Sequence, residues 1–494
     1  MDFGVGVTLF LVFCTTCLIY LVTWIRNSKK KGMPPGPTSL PLIGNLLQLN
    51  LEELPEQFTQ LAKTYGTVFT VHLGTTPAVV LFGYDTIKEA LIDNADVFSY
   101  RAKFPALELV FKNNGVLLSN GEKWKQLRRF CISTLRNFGM GKKSIEERIQ
   151  EEAHFLGEEF KKQNGSPFDP SNLLSLAVGN IICSVVFGQR FEYEDQKFLK
   201  LLKMMTEILE ILNSQMGQLL NTFPKLFYRI PGSHQQMFRM FSKLHDFIME
   251  KVKEHQETLD ENNLRDFIDC YLIKMEQEKD NPNTEFNHEN LFATISNLFF
   301  GGTETTTMTL RHGLRIFLKY PDISRKIQEE IDLVVGLSRS PSVEDRIKMP
   351  YTDAVFHEIQ RFADIAPLNL PHTVNRTTTF RGHSIPQGTM VFPMLSSALK
   401  DPKYFRNPEK FDPGHFLDDN GCFKKSEAFI PFSAGKRICP GEGLAKMEIF
   451  LIISSILQKF NLKCNMDPSN IDISPQPGSN GAICRPYQLT FMSR

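Results

Sequence analysis

Phe432-Ser433-Ala434-Gly435-Lys436-Arg437-Ile438-Cys439-Pro440-Gly441 is the stretch on which the reading of this chain turns. Gly435 and Gly441 permit turns and the close approach of a flat ligand. Pro440 suits the first turn of a helix, and Leu444, Met447, Phe450, Leu451 and Ile453 follow it at helical spacing. Cys439 therefore stands just ahead of a helix N-terminus, where the dipole favours a thiolate. A lone cysteine is ordinarily buried and inert. Here the helix start that a ligand loop requires lies within the same ten residues, which favours a thiolate presented to a soft metal.

Upstream, one helix stands out. Asn287 can cap it, and Leu291, Phe292, Ile295, Leu298 and Phe299 give it an apolar face. The pattern continues through Leu310, Leu314 and Phe317 until Pro321 stops it. Such a helix runs roughly 50 Å, long enough to pass through the core of a large domain. Inside it lies Phe300-Gly301-Gly302-Thr303-Glu304-Thr305-Thr306. Two adjacent glycines cost a helix on the order of 1 kcal/mol each, so they call for a packing or ligand reason. A threonine hydroxyl there can donate and accept, and so relay a proton. It can equally bond back to a carbonyl of its own helix.

The rest of residues 124–320 is also largely helical in its periodicity. Residues 68–73 and 78–82 are β-rich and separated by the turn-like 74–77, which predicts a hairpin. Strand-like pieces return at 377–380 and 390–392. The fold class is mainly α with minor β.

The 494 residues carry 56 Lys+Arg against 55 Asp+Glu, so no global charge draws the chain to nucleic acid. A hydrophobic content of 42% is too low for a multi-span membrane protein. With 41 Phe and only 2 Trp, the core is expected to be Phe-rich. Nine cysteines, an odd and sparse set, argue for a reducing compartment and against a disulfide framework. Residues 3–25 are uncharged and long enough to span a bilayer as a helix. Asp2 precedes them; Arg26, Lys29, Lys30 and Lys31 follow, which places the bulk of the chain in the cytosol. Pro34-Pro35-Gly36-Pro37 then reads either as a stiff stalk or as an ordinary turn before a strand. The expected organisation is an anchor at 1–26, a basic and proline-rich hinge at 27–40, and one large domain at 41–494. With a cytosolic body, the sequons at Asn164 and Asn375 stay unmodified. No Walker loop, zinc-finger spacing or Gly-x-Ser-x-Gly elbow is present.

The Phe-x-x-Gly-x-x-x-Cys-x-Gly loop resembles the haem-binding loop of the cytochrome P450 superfamily. The likeness extends in order over essentially the whole chain. Its anchor and proline hinge, together with residues 431–439, are similar to those of vertebrate microsomal family 2 haem-thiolate monooxygenases. The resemblance implies the P450 fold, with the long helix bulging over haem b and Cys439 as axial ligand of the iron. Such a thiolate pushes electron density to the metal and favours O–O cleavage. Phe432, Gly435 and Gly441 would shape the loop. Arg437, Trp124, Arg128, Arg101 and His372 would contact the propionates. Gly301, Gly302, Glu304 and Thr305 match the oxygen-activating pattern, with Thr305 holding a hydroxyl and water and Glu304 helping to deliver protons. Glu358 and Arg361, three apart on a helix, would form a buried structural link to a third partner in Phe411-Asp412-Pro413-Gly414-His415-Phe416. His415 stands where many families have arginine, which makes that partner weaker and pH-sensitive.

By the same resemblance the substrate pocket draws on Phe104, Leu117, Leu118, Phe300, Gly301, Ala366, Leu370, Ala482 and Ile483, an apolar set that binds by shape and desolvation. Phe300 is bulky for its position and is expected to narrow the cavity. Residues 223–231 either dip into the membrane or form a packed loop. Lys125, Arg129, Arg136 and Lys436 would form a docking face for NADPH-cytochrome P450 reductase, and for a cytochrome b5. The expected reaction inserts one atom of dioxygen into a lipophilic xenobiotic, fatty acid or steroid, in a protein anchored in the endoplasmic reticulum membrane. The rival readings are a reductase-independent isomerase or dehydratase of fatty-acid peroxides, against which Glu304 and Thr305 argue, and a non-catalytic haem sensor, which needs no proton relay.

Overall fold

The computed structural model describes residues 32–137, 145–480 and 483–494, with Thr8, Val12, Thr15 and Thr16 ahead of them. The expected membrane span at 3–25 thus falls almost wholly outside the described residues. Among the described residues, no helix is long and apolar enough to cross a membrane.

The chain forms two compact units. The first comprises the residues up to Ala102 together with Pro367–Ala398. It is built on a five-stranded sheet. Strands β1 (Val68–Leu73) and β2 (Thr76–Leu81) form a hairpin in which Leu73 faces Thr76, so the turn is tighter than the sequence suggested. Gly74 takes the positive φ of 61° that this short turn requires. Strands β3 (Tyr100–Arg101), β4 (His372–Thr373) and β7 (Met390–Pro393) complete the order β1-β2-β7-β4-β3, with β2 and β7 parallel. A separate hairpin joins β5 (Thr378–Phe380) to β6 (His383–Ile385), a strand too short to show a period. Helix α1 (Leu54–Tyr65) lays Phe58 against Phe69 and Phe392, with ring centroids 6.0 and 6.1 Å apart. The proline segment docks beside β1. Thr70 donates its N–H to Pro35 O and its hydroxyl to Pro34 O, at 2.8 and 3.0 Å. A Cβ on Gly36 would overlap the Thr70 carbonyl, so only glycine lets the two backbones come this close.

The second unit, Lys103–Ala366 with Leu399–Arg494, is mainly helical. Its longer helices are α2 (Gly121–Asn137), α3 (Ile145–Lys162), α4 (Ser171–Val186), α5 (Gln196–Asn213), α6 (Ser233–Glu257), α7 (Phe267–Gln277), α8 (His288–Lys319), α9 (Pro321–Val334), α10 (Pro350–Ala363) and α11 (Glu442–Lys459). A two-stranded sheet of β8 (Phe460–Lys463) and β9 (Thr490–Ser493) follows α11. Helix α8 begins where Asn287 Oδ1 accepts the Asn290 N–H at 2.8 Å, and Pro321 opens the next helix. It packs on α4, α6, α10 and α11, which makes it the axis of this unit. The core is rich in phenylalanine. Phe130, for example, sets its ring edge-on to Phe267, Tyr271 and Phe286 at 5.3–5.4 Å.

One charged cluster lies inside this apolar mass. Arg361 donates Nε and Nη2 to the Glu358 carboxylate at 2.7 and 2.8 Å, and both residues are fully buried. The guanidinium also reaches Leu399 O and Lys410 O, and Glu358 accepts the Asp412 N–H at 2.9 Å. His415 places Nδ1 3.1 Å from Glu358 Oε2 and Nε2 2.7 Å from Arg406 O. Both of its ring nitrogens face acceptors, a pattern that only the doubly protonated ring satisfies.

Candidate active site

The loop ahead of α11 is set by its backbone. Ser433 and Gly435 take positive φ, residues Gly435–Arg437 make a single 3-10 turn, and Cys439 donates its N–H to Phe432 O at 2.9 Å. Helix α11 starts at Glu442, with Gly441 as its cap, so Pro440 lies in the turn before the helix rather than in its first turn. The N–H groups of Gly441 and Glu442 point at the Cys439 sulfur. The side chain is exposed, yet burial is the largest influence on the thiol and raises its pKa. The residue is thus open to solvent while protein atoms crowd its sulfur. The two N–H groups and Arg128 favour the thiolate, and the Glu442 carboxylate opposes it. A cation bound there would displace the thiol proton.

Helix α2 closes one side of this loop. Arg128 donates Nη2 to Ile438 O at 2.5 Å. Arg437 donates to Ser119 O and Asn120 Oδ1 at 2.7 and 2.8 Å and lies 3.8 Å over the Trp124 ring. Trp124 itself is buried, and its Nε1 has no hydrogen-bond partner. A buried indole N–H left unpaired is costly and calls for an acceptor.

Helix α8 is buried near both ends, but Gly301 and Thr305 are exposed at its middle. A Cβ on Gly301 would meet nothing within 4 Å, whereas one on Gly302 would strike Ile182 Cδ1 at 2.5 Å. The first glycine therefore keeps a helix face open, and the second packs α8 against α4. The helix runs as continuous α through this stretch, so the expected bulge is absent. Thr305 Oγ1 donates to Gly301 O at 2.6 Å, the back-bonded state open to any helical threonine. Its oxygen retains lone pairs for an incoming donor. Glu304, about 100° further round the helix, lines a small cavity with Ser175, Leu202, Met205, Thr206, Leu209 and the buried Thr303. Burial raises its pKa, Arg311 works against that rise and Glu210 adds to it.

The expected pocket residues are distributed as follows. Phe104 precedes the short helix Pro105–Phe111. Leu117 and Leu118 lie on a loop that α8 holds by its main chain: Asn290 Oδ1 accepts the Gly115 N–H and Asn297 Oδ1 the Leu117 N–H, both at 3.0 Å. These two amides escaped the sequence reading; the available signal was two asparagines seven residues apart on an apolar helix. Phe300 is partly buried, its ring 5.9 Å from that of Phe241. Ala366 and Ile483 are exposed, and Ala482 lies outside the described residues. Arg101, Leu370 and His372 belong to the first unit, where Arg101 donates to Leu370 O at 2.7 Å and His372 Nδ1 meets Phe98 O at 2.6 Å.

An exposed thiol just ahead of a helix start, an unpaired indole N–H beside two arginines and an open glycine face on the central helix fit a large planar group with an acidic edge and a thiophilic metal. A family model described as Cytochrome P450 matches residues 34–491. The chain belongs to the cytochrome P450 family. It is 51% identical to Cytochrome P450 2G1 of Rattus norvegicus over the full length of both, and 52% identical to Cytochrome P450 2C8 of Homo sapiens over 98% of each. As a cytochrome P450, the protein is an oxidoreductase that binds haem b through a cysteine thiolate and monooxygenates lipophilic substrates.

Proposed function

We propose that Cys439 supplies the thiolate that would hold the haem iron, and that the chain is a membrane-anchored monooxygenase fed with electrons from NADPH by a reductase. The observation that carries the assignment is the exposed Cys439, held by its N–H on Phe432 O three residues ahead of the first residue of α11. Trp124 Nε1, Arg128 and Arg437 would hold the propionates. Bound there, haem supplies the redox chemistry that splits dioxygen, one atom entering the substrate and the other leaving as water with two protons and two electrons.

The chain's own residues bind, orient and pass protons. Thr305 must release Gly301 O to donate toward the reacting oxygen, a rotation about one side-chain bond. Glu304 holds a proton more readily than an exposed carboxyl because burial raises its pKa. From its position round the helix, it passes that proton to Thr305 through water. Phe104, Leu117, Leu118, Phe300, Gly301, Ala366 and Ile483 exclude water and shape the apolar pocket.

The exposed Lys125, Arg129, Arg136 and Lys436 form the reductase docking face, which also suits a cytochrome b5. Residues 3–25 span the endoplasmic reticulum membrane. Leu226, Tyr228 and Ile230, each at least 39% exposed, rest on its surface.

The test is the spectrum of the dithionite-reduced protein with carbon monoxide beside that of Cys439→Ser. A strongly red-shifted Soret band, lost in the variant, is expected. A band typical of histidine-ligated haem in the unaltered protein would overturn Cys439 as ligand.

A further inference from the structure

Two arginines on α8 lack the partner that buried cations usually have. Arg311 and Arg315 are four residues apart, on one helix face. Arg315 is only 8% exposed. Like charges at this spacing repel, and a buried cation without a carboxylate loses its hydration for little return. No ion pair is made by either among the described residues, and the Nε of each is buried without a partner.

What they reach instead is mainly main chain, besides Met308 Sδ, 3.9 Å from Arg311 Nη1, and the Tyr487 ring, whose centre lies 6.0 Å from the Arg315 guanidinium. Arg311 Nη2 donates to Cys484 O at 3.4 Å, and Arg315 Nη1 to Arg485 O at 2.8 Å. The segment they hold runs from Ile483 to Tyr487 and belongs to no strand; its one ladder contact is the isolated bridge from Cys484 to Pro475. Buried carbonyls outside a ladder need donors from elsewhere. Two further bonds join the same pieces: Cys484 N–H to Met308 Sδ at 3.1 Å, and the Tyr487 hydroxyl to Arg311 O at 2.9 Å. Met308, Arg311 and Arg315 recur at three- and four-residue steps. One stripe of α8 thus does for this segment what a neighbouring strand would do.

We propose that Arg315, together with Arg311, is a positioning residue for substrate specificity, which holds the 483–487 segment on α8 by its carbonyls and so fixes where the Ile483 side chain stands. The geometry concerns the tether. That Ile483 faces substrate rests on the function proposed above.

The test uses the full-length holoenzyme with Arg315→Leu, which keeps an apolar stem and removes the donors, and Arg315→Lys, which keeps the charge but replaces the planar fork with a single ammonium nitrogen. Tyr487→Phe, which removes a single hydroxyl, is the milder control on folding. Hydrogen exchange over 483–487 is expected to accelerate roughly tenfold or more in Arg315→Leu, less in Arg315→Lys and Tyr487→Phe, and not at all over α10. Spectral titration with imidazole and 4-phenylimidazole separates the wall from the metal. The larger ligand is expected to weaken several-fold in Arg315→Leu, and imidazole to keep its affinity.

Unchanged exchange at 483–487 would overturn the tether, and equal effects on the two imidazoles would overturn its role in specificity. Failure of the underlying functional reading looks different, because the unaltered protein would then lack the thiolate-type carbon monoxide band whatever the exchange result.

Discussion

The second unit buries arginine in two ways. Arg361 has the Glu358 carboxylate on two of its nitrogens, and the pair sits in the core at zero exposure. Arg315 has a carbonyl and no carboxylate. The same side chain is a charge partner in one place and a bundle of N–H donors in the other. Removing one member of a matched buried pair strands its partner's charge, whereas replacing a cation that makes no ion pair leaves no bound carboxylate behind.

The largest effect should come from Arg361→Met. Loss of the guanidinium leaves Glu358 buried without its bidentate partner, at a cost of about 3–5 kcal/mol. Thermal or urea unfolding of the holoenzyme measures it, and a stable Arg361→Met protein would break the comparison.

Smaller, and conditional on pH, is His415. Burial alone would lower its pKa; the Glu358 carboxylate outweighs this and raises it. The folded value lies above the unfolded one, about 6.5. Its contribution is therefore full below that pH and is lost as pH rises through the folded value. His255, whose Nε2 lies 2.6 Å from Asp266 Oδ2, is shifted the same way: burial lowers it and Asp266 prevails. Melting temperature should fall from mildly acidic to mildly alkaline pH, and His415→Gln should make that slope shallower. An unaltered slope would show that the histidine is no charged partner.

The smallest effect on stability is expected for Arg315→Leu, within about 1 kcal/mol of the parent and of either sign. Its effect on local exchange is nevertheless large. A destabilisation as severe as that of Arg361→Met would erase the distinction between the two arginines.

A fourth measurement addresses the pocket. Phe300→Ala should widen the range of ligands that shift the haem spectrum, because Phe300 fills space beside the open face of Gly301. An unchanged range would show that its contact with Phe241 directs the ring away from the pocket.

How much of this was legible in sequence differs from place to place for physical reasons. The Cys439 loop was readable because its turn, its ligand and its helix start are contiguous. Helix α8 was readable because an apolar period over 32 residues has no other explanation. Strand β6 was not, since three residues carry no period. The bulge of the long helix over the haem, expected from the resemblance, is not there, since His288–Lys319 is an unbroken α-helix. Arg311 and Arg315 could be placed on one face from their spacing, but what they meet lies some 170 residues away in the chain. Asn290 and Asn297 were hidden similarly, polar residues on a stripe that otherwise reads as core.

Those two asparagines have a consequence for how this protein can change. They grip the loop before α2 through the amides of Gly115 and Leu117, and take no hold on any side chain there. A substitution at position 117 alters what the loop presents without touching what fastens it. The anchorage is indifferent to the identity of the residue it fixes, so new surfaces can be tried on a frame that stays in register. The one fixed point is Gly115, where an added Cβ would collide with Asn297 Oδ1 and Ala293. Diversity is permitted at position 117 because it is forbidden two residues earlier.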